Sequence, residues 1–87
     1  MFAPYFDESW PRYFDSLDSV MKERVAKKIR KILENPKKRH LKKNARFFVD
    51  EVGQYRITYR VFEQENQVRF YFVGDHKQYE KWFLSFL

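Results

Sequence analysis

Between Asp18 and Glu34 the apolar residues Val25, Ile29, Ile32 and Leu33 fall at i, i+4, i+7 and i+8, the spacing of one helix face. Lys22, Lys27, Lys28, Arg30 and Lys31 take the other faces. Asp18 or Ser19 supplies an N-cap, and Asn35-Pro36 supplies a stop because proline disfavours helical geometry in the residue before it. The pattern therefore predicts a helix ending near Glu34. Upstream, Phe2 to Phe6 reads as a short edge strand interrupted by Pro4, and Glu8 to Leu17 as a helix whose first turn is fixed by Pro11.

Downstream the period changes from helical to alternating. Arg46 to Val49 reads as a strand and Asp50-Glu51-Val52-Gly53 as a turn. Tyr55, Ile57, Tyr59 and Val61 then alternate with Arg56, Thr58, Arg60 and Phe62, which predicts a two-faced strand. Glu63 to Asn66 forms a hairpin turn. In Gln67 to Val73, Val68, Phe70 and Phe72 oppose Arg69, Tyr71 and Val73, and Gly74 closes the strand. From Lys77 onward Tyr79, Trp82, Phe83 and Phe86 return to helical spacing. The fold class is thus α+β, one domain over residues 1–87: N-terminal helices packed on one face of a small, mainly antiparallel sheet, with a short C-terminal helix.

Charge changes this picture more than composition does. Of the formal +6, residues 22–46 hold twelve Lys/Arg against Glu23 and Glu34, so this segment carries +10 and the remainder −4. Such a concentration suits a polyanion; the plainer alternative is a solvated helix face followed by a basic loop. Cysteine is absent, which removes disulfides, thiolate nucleophiles and cysteine zinc sites and fits a reducing cytosol. No apolar run reaches membrane-span length, and the start Met1 to Glu8 lacks a signal-peptide pattern, so the expected location is cytoplasmic, with no membrane partner. Two glycines leave no phosphate-binding loop, and His40 and His76 lack ligand spacing; neither a cofactor nor a metal is expected.

The order of short motifs is informative as a whole. Asn35-Pro36, Leu41-Lys42-Lys43, the run Val52 to Val61 and the run Phe72 to Tyr79 together resemble the RelE/ParE toxin superfamily over nearly the whole chain. The most specific piece, Gly53-x-Tyr55-Arg56-Ile57-x-Tyr59, is similar to that family's central strand, and a Val-Gly-His-like turn and a tyrosine follow at matching distance. The resemblance implies two N-terminal helices on a mainly antiparallel sheet and a cognate antitoxin protein that wraps the toxin. It leaves the target open, because some members cut mRNA in the ribosomal A site and others inhibit DNA gyrase.

Cleaving RNA through its own 2′-OH requires a base for that hydroxyl, cationic stabilisation of the phosphorane and an acid for the 5′-oxygen. Arg56 matches the family's strand arginine, whose fixed charge and forked donors suit the phosphate; a cross-strand or solvent-facing arginine is the alternative. His76 stands where the family often has a basic residue or histidine, the side-chain type that exchanges protons near neutrality. Lys77 is a second candidate for the phosphate, and Tyr79 matches a tyrosine that orients the phosphate or stacks on a base, with a core position as its alternative. Lys37, Lys38, Arg39, Lys42, Lys43 and Arg46 are the candidate RNA-binding residues. Two departures from the resemblance count: Asp75 precedes His76 and would repel a phosphate if it faced the site, and Phe47-Phe48 stand where active nucleases often carry alternating lysines.

The leading expectation is a type II toxin acting as a ribosome-dependent, metal-independent mRNA endoribonuclease (mRNA interferase) that inhibits translation, partnered by its antitoxin and by mRNA on the ribosome. The alternatives are a non-enzymatic, ParE-like inhibitor of DNA gyrase and a degenerate toxin-like binding module.

Overall fold

A computed structural model of the chain describes residues 1–36 and 47–85. The elements run β1 (Ala3–Phe6), α1 (Trp10–Phe14), α2 (Ser19–Glu34), β2 (Phe48–Val52), β3 (Tyr55–Phe62), β4 (Gln67–Asp75) and α3 (His76–Leu84). The sheet order is β1-β4-β3-β2, with β1 parallel to β4 and the other neighbours antiparallel. This is the expected α+β class.

The helix bounds follow from identifiable caps. Asp18 accepts the Met21 N–H at 2.7 Å, and the chain stops at Asn35, whose N–H returns to Lys31 and Ile32. Helix α1 is shorter than the sequence pattern suggests. The Asp7 carboxylate accepts from both the N–H (3.1 Å) and the hydroxyl (2.6 Å) of Ser9, which holds Glu8 in the preceding turn. The Ser9 hydroxyl also holds the Asp7 carboxyl below its usual range. Pro11 lies in the first turn of α1, and Trp10 drops into the core at 5% exposure.

Residues 50–52, read from sequence as a turn, belong to β2. The reversal is confined to Gly53-Gln54, with Val52 opposite Tyr55. Gly53 has φ +59, as the first position of a two-residue hairpin loop demands, and a side chain there would also meet the Arg24 guanidinium at 3.2 Å. Tertiary partners hold Asp50 and Glu51 in the strand: Asp50 pairs with Lys28 of α2 at 3.7 Å, and Glu51 lies opposite Arg56.

The alternation along β4 is broken once. Tyr59 pairs with Phe70 but Thr58 pairs with Phe72, so Tyr71 is an extra residue without a cross-strand partner, a β-bulge. Beyond it the faces exchange: Phe72 shares a face with Thr58, and Val73 with Ile57. Strict alternation predicts the reverse for both residues. The bulge divides the buried residues into two clusters. On one face Val25, Ile29, Ile32 and Leu33 of α2 and Trp10 pack on Val52, Ile57, Tyr59, Val68, Phe70 and Val73. On the other, Phe47 and Phe72 meet Tyr79 and Trp82 of α3, with Trp82 stacked on Phe72 at 5.3 Å. Helix α3 therefore covers part of the face that the sequence pattern leaves open.

Two neighbouring hydroxyls fare differently. The Tyr59 hydroxyl donates to the Pro36 carbonyl at 3.0 Å in a buried setting, tying the end of α2 to the central strand. The Thr58 hydroxyl is fully buried and finds no partner among the described residues. Adjacent substitutions should accordingly shift stability in opposite directions. Tyr59→Phe leaves a buried carbonyl unpaired and should lower the unfolding free energy by about 1–2 kcal/mol. Thr58→Val removes a desolvated hydroxyl at nearly constant volume and should raise it by about 1 kcal/mol. Urea denaturation of both variants, read as midpoint shifts at constant slope, checks the pair.

Candidate functional site

Strand β4 extends one residue past Gly74, and α3 begins at once with His76. Gly74 lies opposite Arg56, and a Cβ there would stand 2.6 Å from the Phe72 ring and 2.8 Å from Gln78 Oε1. Glycine at this position is what lets the first turn of α3 fold back onto the strand. Asp75 and Gln78 then close a capping box: Gln78 N–H donates to Asp75 Oδ1 and Asp75 N–H to Gln78 Oε1, both at 2.9 Å. The Asp75 carboxylate is thus engaged with the helix start.

This turn faces the β2–β3 hairpin across an open cleft of about 510 Å³. Three of the four side chains singled out for chemistry, Arg56, His76 and Lys77, line it together with Glu51, Asp75 and the turn 53–55. Tyr79 is not in its wall. It is buried at 8% exposure beneath the Arg56 guanidinium, whose carbon stands 4.9 Å from the ring centroid. Burial raises the Tyr79 hydroxyl above its ordinary range, against the opposing charge of Arg56. A cation over a phenol face contributes about 0.5–2 kcal/mol, so Tyr79 works here as a platform that orients Arg56.

Arg56 has a second restraint. Its Nε lies 3.9 Å from Glu51 Oε2, directly across the β2–β3 ladder. The sequence pattern missed Glu51 because it assigned residues 50–53 to a turn; the hairpin register alone would have placed it opposite Arg56. His76 is exposed, and its Nε2 lies 3.3 Å from Glu80 Oε2 one helical turn on. The formal charges of Glu51 and Asp75 balance those of Arg56 and Lys77, so the cleft is not strongly cationic. Chemically it offers a guanidinium seated on Tyr79 and an imidazole beside a second cation, a set able to hold an oxyanion and move a proton.

Lys37, Lys38, Arg39, Lys42, Lys43 and Arg46 lie outside the described residues, as do His40 and Phe86. Their sequence still carries information. These ten positions, 37–46, hold six of the eighteen Lys/Arg and none of the twelve Asp/Glu, so the entire formal charge of +6 originates there. Phe47, where a lysine would stand in the resemblance, is instead buried against Trp82 at 4.9 Å. Among the described residues no helix is long and apolar enough to cross a membrane.

Similar folds are found among solved toxins. The isolated E. coli RelE toxin superposes with a TM-score of 0.77 at 22% identity, covering 100% of both chains. A chain of the intact E. coli RelBE toxin–antitoxin complex gives 0.76 at 24% identity over 86% of this chain and 96% of that one. A chain of the Mycobacterium tuberculosis RelBE2 toxin–antitoxin complex gives 0.77 at 19% identity over 86% and 91%. No curated protein matches the sequence. At these identities the structures establish the fold. Residues 1–79 match the family model of the ParE toxin of type II toxin–antitoxin system, parDE, a match that runs from the start of the chain into the first turn of α3, and the chain therefore belongs to this toxin family within the RelE/ParE superfamily.

Proposed function

We propose that this toxin is a metal-independent endoribonuclease that cuts mRNA on the ribosome and so inhibits translation. The observation that carries the reading is the convergence of Arg56, His76 and Lys77 on one cleft, with Arg56 seated on Tyr79. In the proposed reaction the ribose 2′-oxygen loses its proton to a base and attacks the adjacent phosphorus. The bond from phosphorus to the 5′-oxygen breaks, leaving a 2′,3′-cyclic phosphate and a protonated 5′-hydroxyl. Arg56 stabilises the phosphorane, His76 exchanges the protons and Lys77 neutralises a non-bridging oxygen. Lys37, Lys38, Arg39, Lys42, Lys43 and Arg46 hold flanking phosphates, and their charge brings the polyanion to a cleft that is itself balanced. The site of action is the cytoplasm.

A neutralising antitoxin completes the reading. The E. coli, M. tuberculosis and Methanococcus jannaschii toxins of similar fold have been solved in complexes with antitoxins. For this chain the fitting partner is a small protein with an acidic, apolar segment.

One observation favours gyrase inhibition without nuclease chemistry: Glu51 and Asp75 share the cleft, and Phe47 is committed to the core. The test is primer extension on a reporter mRNA after induction of wild type, Arg56→Ala and His76→Ala in a host without antitoxin. Translation-dependent cuts are expected for wild type and should fall at least about a hundredfold in either variant, the usual cost of removing a transition-state donor or proton-transfer group. Growth arrest without cuts, with gyrase supercoiling inhibited, would establish the alternative. Absence of both effects would leave an inactive binding module.

A further inference from the structure

The face of the sheet that bears Arg56 continues past α3. Period-two geometry puts Arg56, Thr58, Arg60 and Phe62 on one side of β3. Arg69 of β4 is directly opposite Arg60, and Tyr5 of β1 is opposite Arg69. Tyr71, the bulge residue, turns to the same side and meets the edge of Phe47 at 5.3 Å. Trp82 covers the Phe72 row, and Thr58 is fully buried there. One row further, Arg60 and Arg69 are exposed and Tyr5 is 45% exposed.

This row is electrostatically unfavourable as it stands. Directly opposed positions bring the two Cα atoms within about 4.5–5.5 Å, and like charges there oppose sheet formation. Among the described residues neither guanidinium has a carboxylate within ion-pair distance. The Arg60 guanidinium lies over the Phe62 ring at 5.3 Å, and Asp7, which feels the charge of Arg69, is engaged by Ser9. Phosphates held one by each arginine would relieve the repulsion and gain two charge-assisted contacts.

We infer that the Arg60–Arg69 row, flanked by Tyr5, Phe62 and Tyr71, is a second binding site, for the backbone and bases of single-stranded RNA beyond the cleft. Paired guanidinium groups interleaved with aromatic faces suit a single strand, whose phosphates need cations and whose bases need stacking surfaces. A purely acidic peptide would use the arginines but not the rings. Arg60 lies four residues along β3 from Arg56, about 13 Å, so a strand occupying both sites must extend several nucleotides from the cut. The inference deepens the nuclease reading, on which it rests for the choice of RNA, but its measurement is binding alone.

The test uses the full purified chain and fluorescently labelled 2′-O-methyl RNA, which lacks the attacking hydroxyl and stays intact. Anisotropy is followed against salt for wild type and for Arg60→Gln/Arg69→Gln. The double variant should bind more weakly, with its log–log salt slope reduced by about 1.4, because each single-strand phosphate contact contributes about 0.7. A labelled dinucleotide, too short to reach both sites, should lose far less affinity. Arg60→Lys/Arg69→Lys keeps the charges and should restore most of the slope, which guards against a folding defect in the glutamine variant. Equal affinity and slope in wild type and the glutamine variant, or no RNA binding by wild type, would overturn the proposal. So would a variant that loses polyglutamate binding while keeping RNA. If ribosomal cleavage is absent but the slope falls as stated, the nuclease reading fails and the RNA site stands.

Discussion

One extra residue in β4 organises the half of the molecule that bears the cleft. Without the bulge at Tyr71, Phe72 would join Phe70 against α2, and the opposite face would lose the ring on which Trp82 stacks. With it, a single strand feeds two cores, and α3 has a seat that forces the chain to reverse immediately after Asp75. The placement of His76 and Lys77 beside Arg56 is a consequence of that reversal. Gly74 and the capping box complete it locally, the first by omitting a side chain where Phe72 and Gln78 crowd, the second by satisfying the donors that open the helix.

Charge is divided unevenly between one segment and the rest of the chain. Residues 37–46 supply the whole formal charge, while the rest of the chain is balanced. Within the cleft the same balance recurs on a small scale, where Glu51 holds Arg56 from the side and Tyr79 supports it from below. A guanidinium restrained on two sides loses little freedom when it meets an anion, which favours orientation over affinity. In the proposed reaction the partner carboxylate would yield some of its hold as the phosphate arrives, an exchange that only a strongly anionic ligand offsets.

Much of this was legible in the chain, and the failures have physical causes. Helix α2 could be bounded closely because Asp18 or Ser19 offers a cap and Asn35-Pro36 a stop; the structure uses Asp18. The motif from Gly53 to Tyr59 marked the central strand and Arg56. The turn placed at residues 50–53 failed because Asp-Glu-Val-Gly has turn composition, whereas Lys28 and Arg56 supply the partners that keep the acids in a strand. The bulge was unreadable because Phe70-Tyr71-Phe72-Val73 suits burial on either face, so no polar residue betrays the slip. Tyr79 drew attention as a chemical candidate through its place in the motif, and only tertiary structure distinguishes a ring in a cleft wall from one beneath it.

The hydrogen bond from Tyr59 to Pro36 has a bearing on how the charge is attached to the fold. It anchors the last described residue before the basic segment, and the packing of Phe47 on Trp82 and Tyr71 anchors the first one after it. Both attachment points are thereby set by the two cores and not by the segment itself. Charge substitutions at residues 37–46 therefore leave untouched the contacts that fix Pro36 and Phe47, since neither contact involves a charged group.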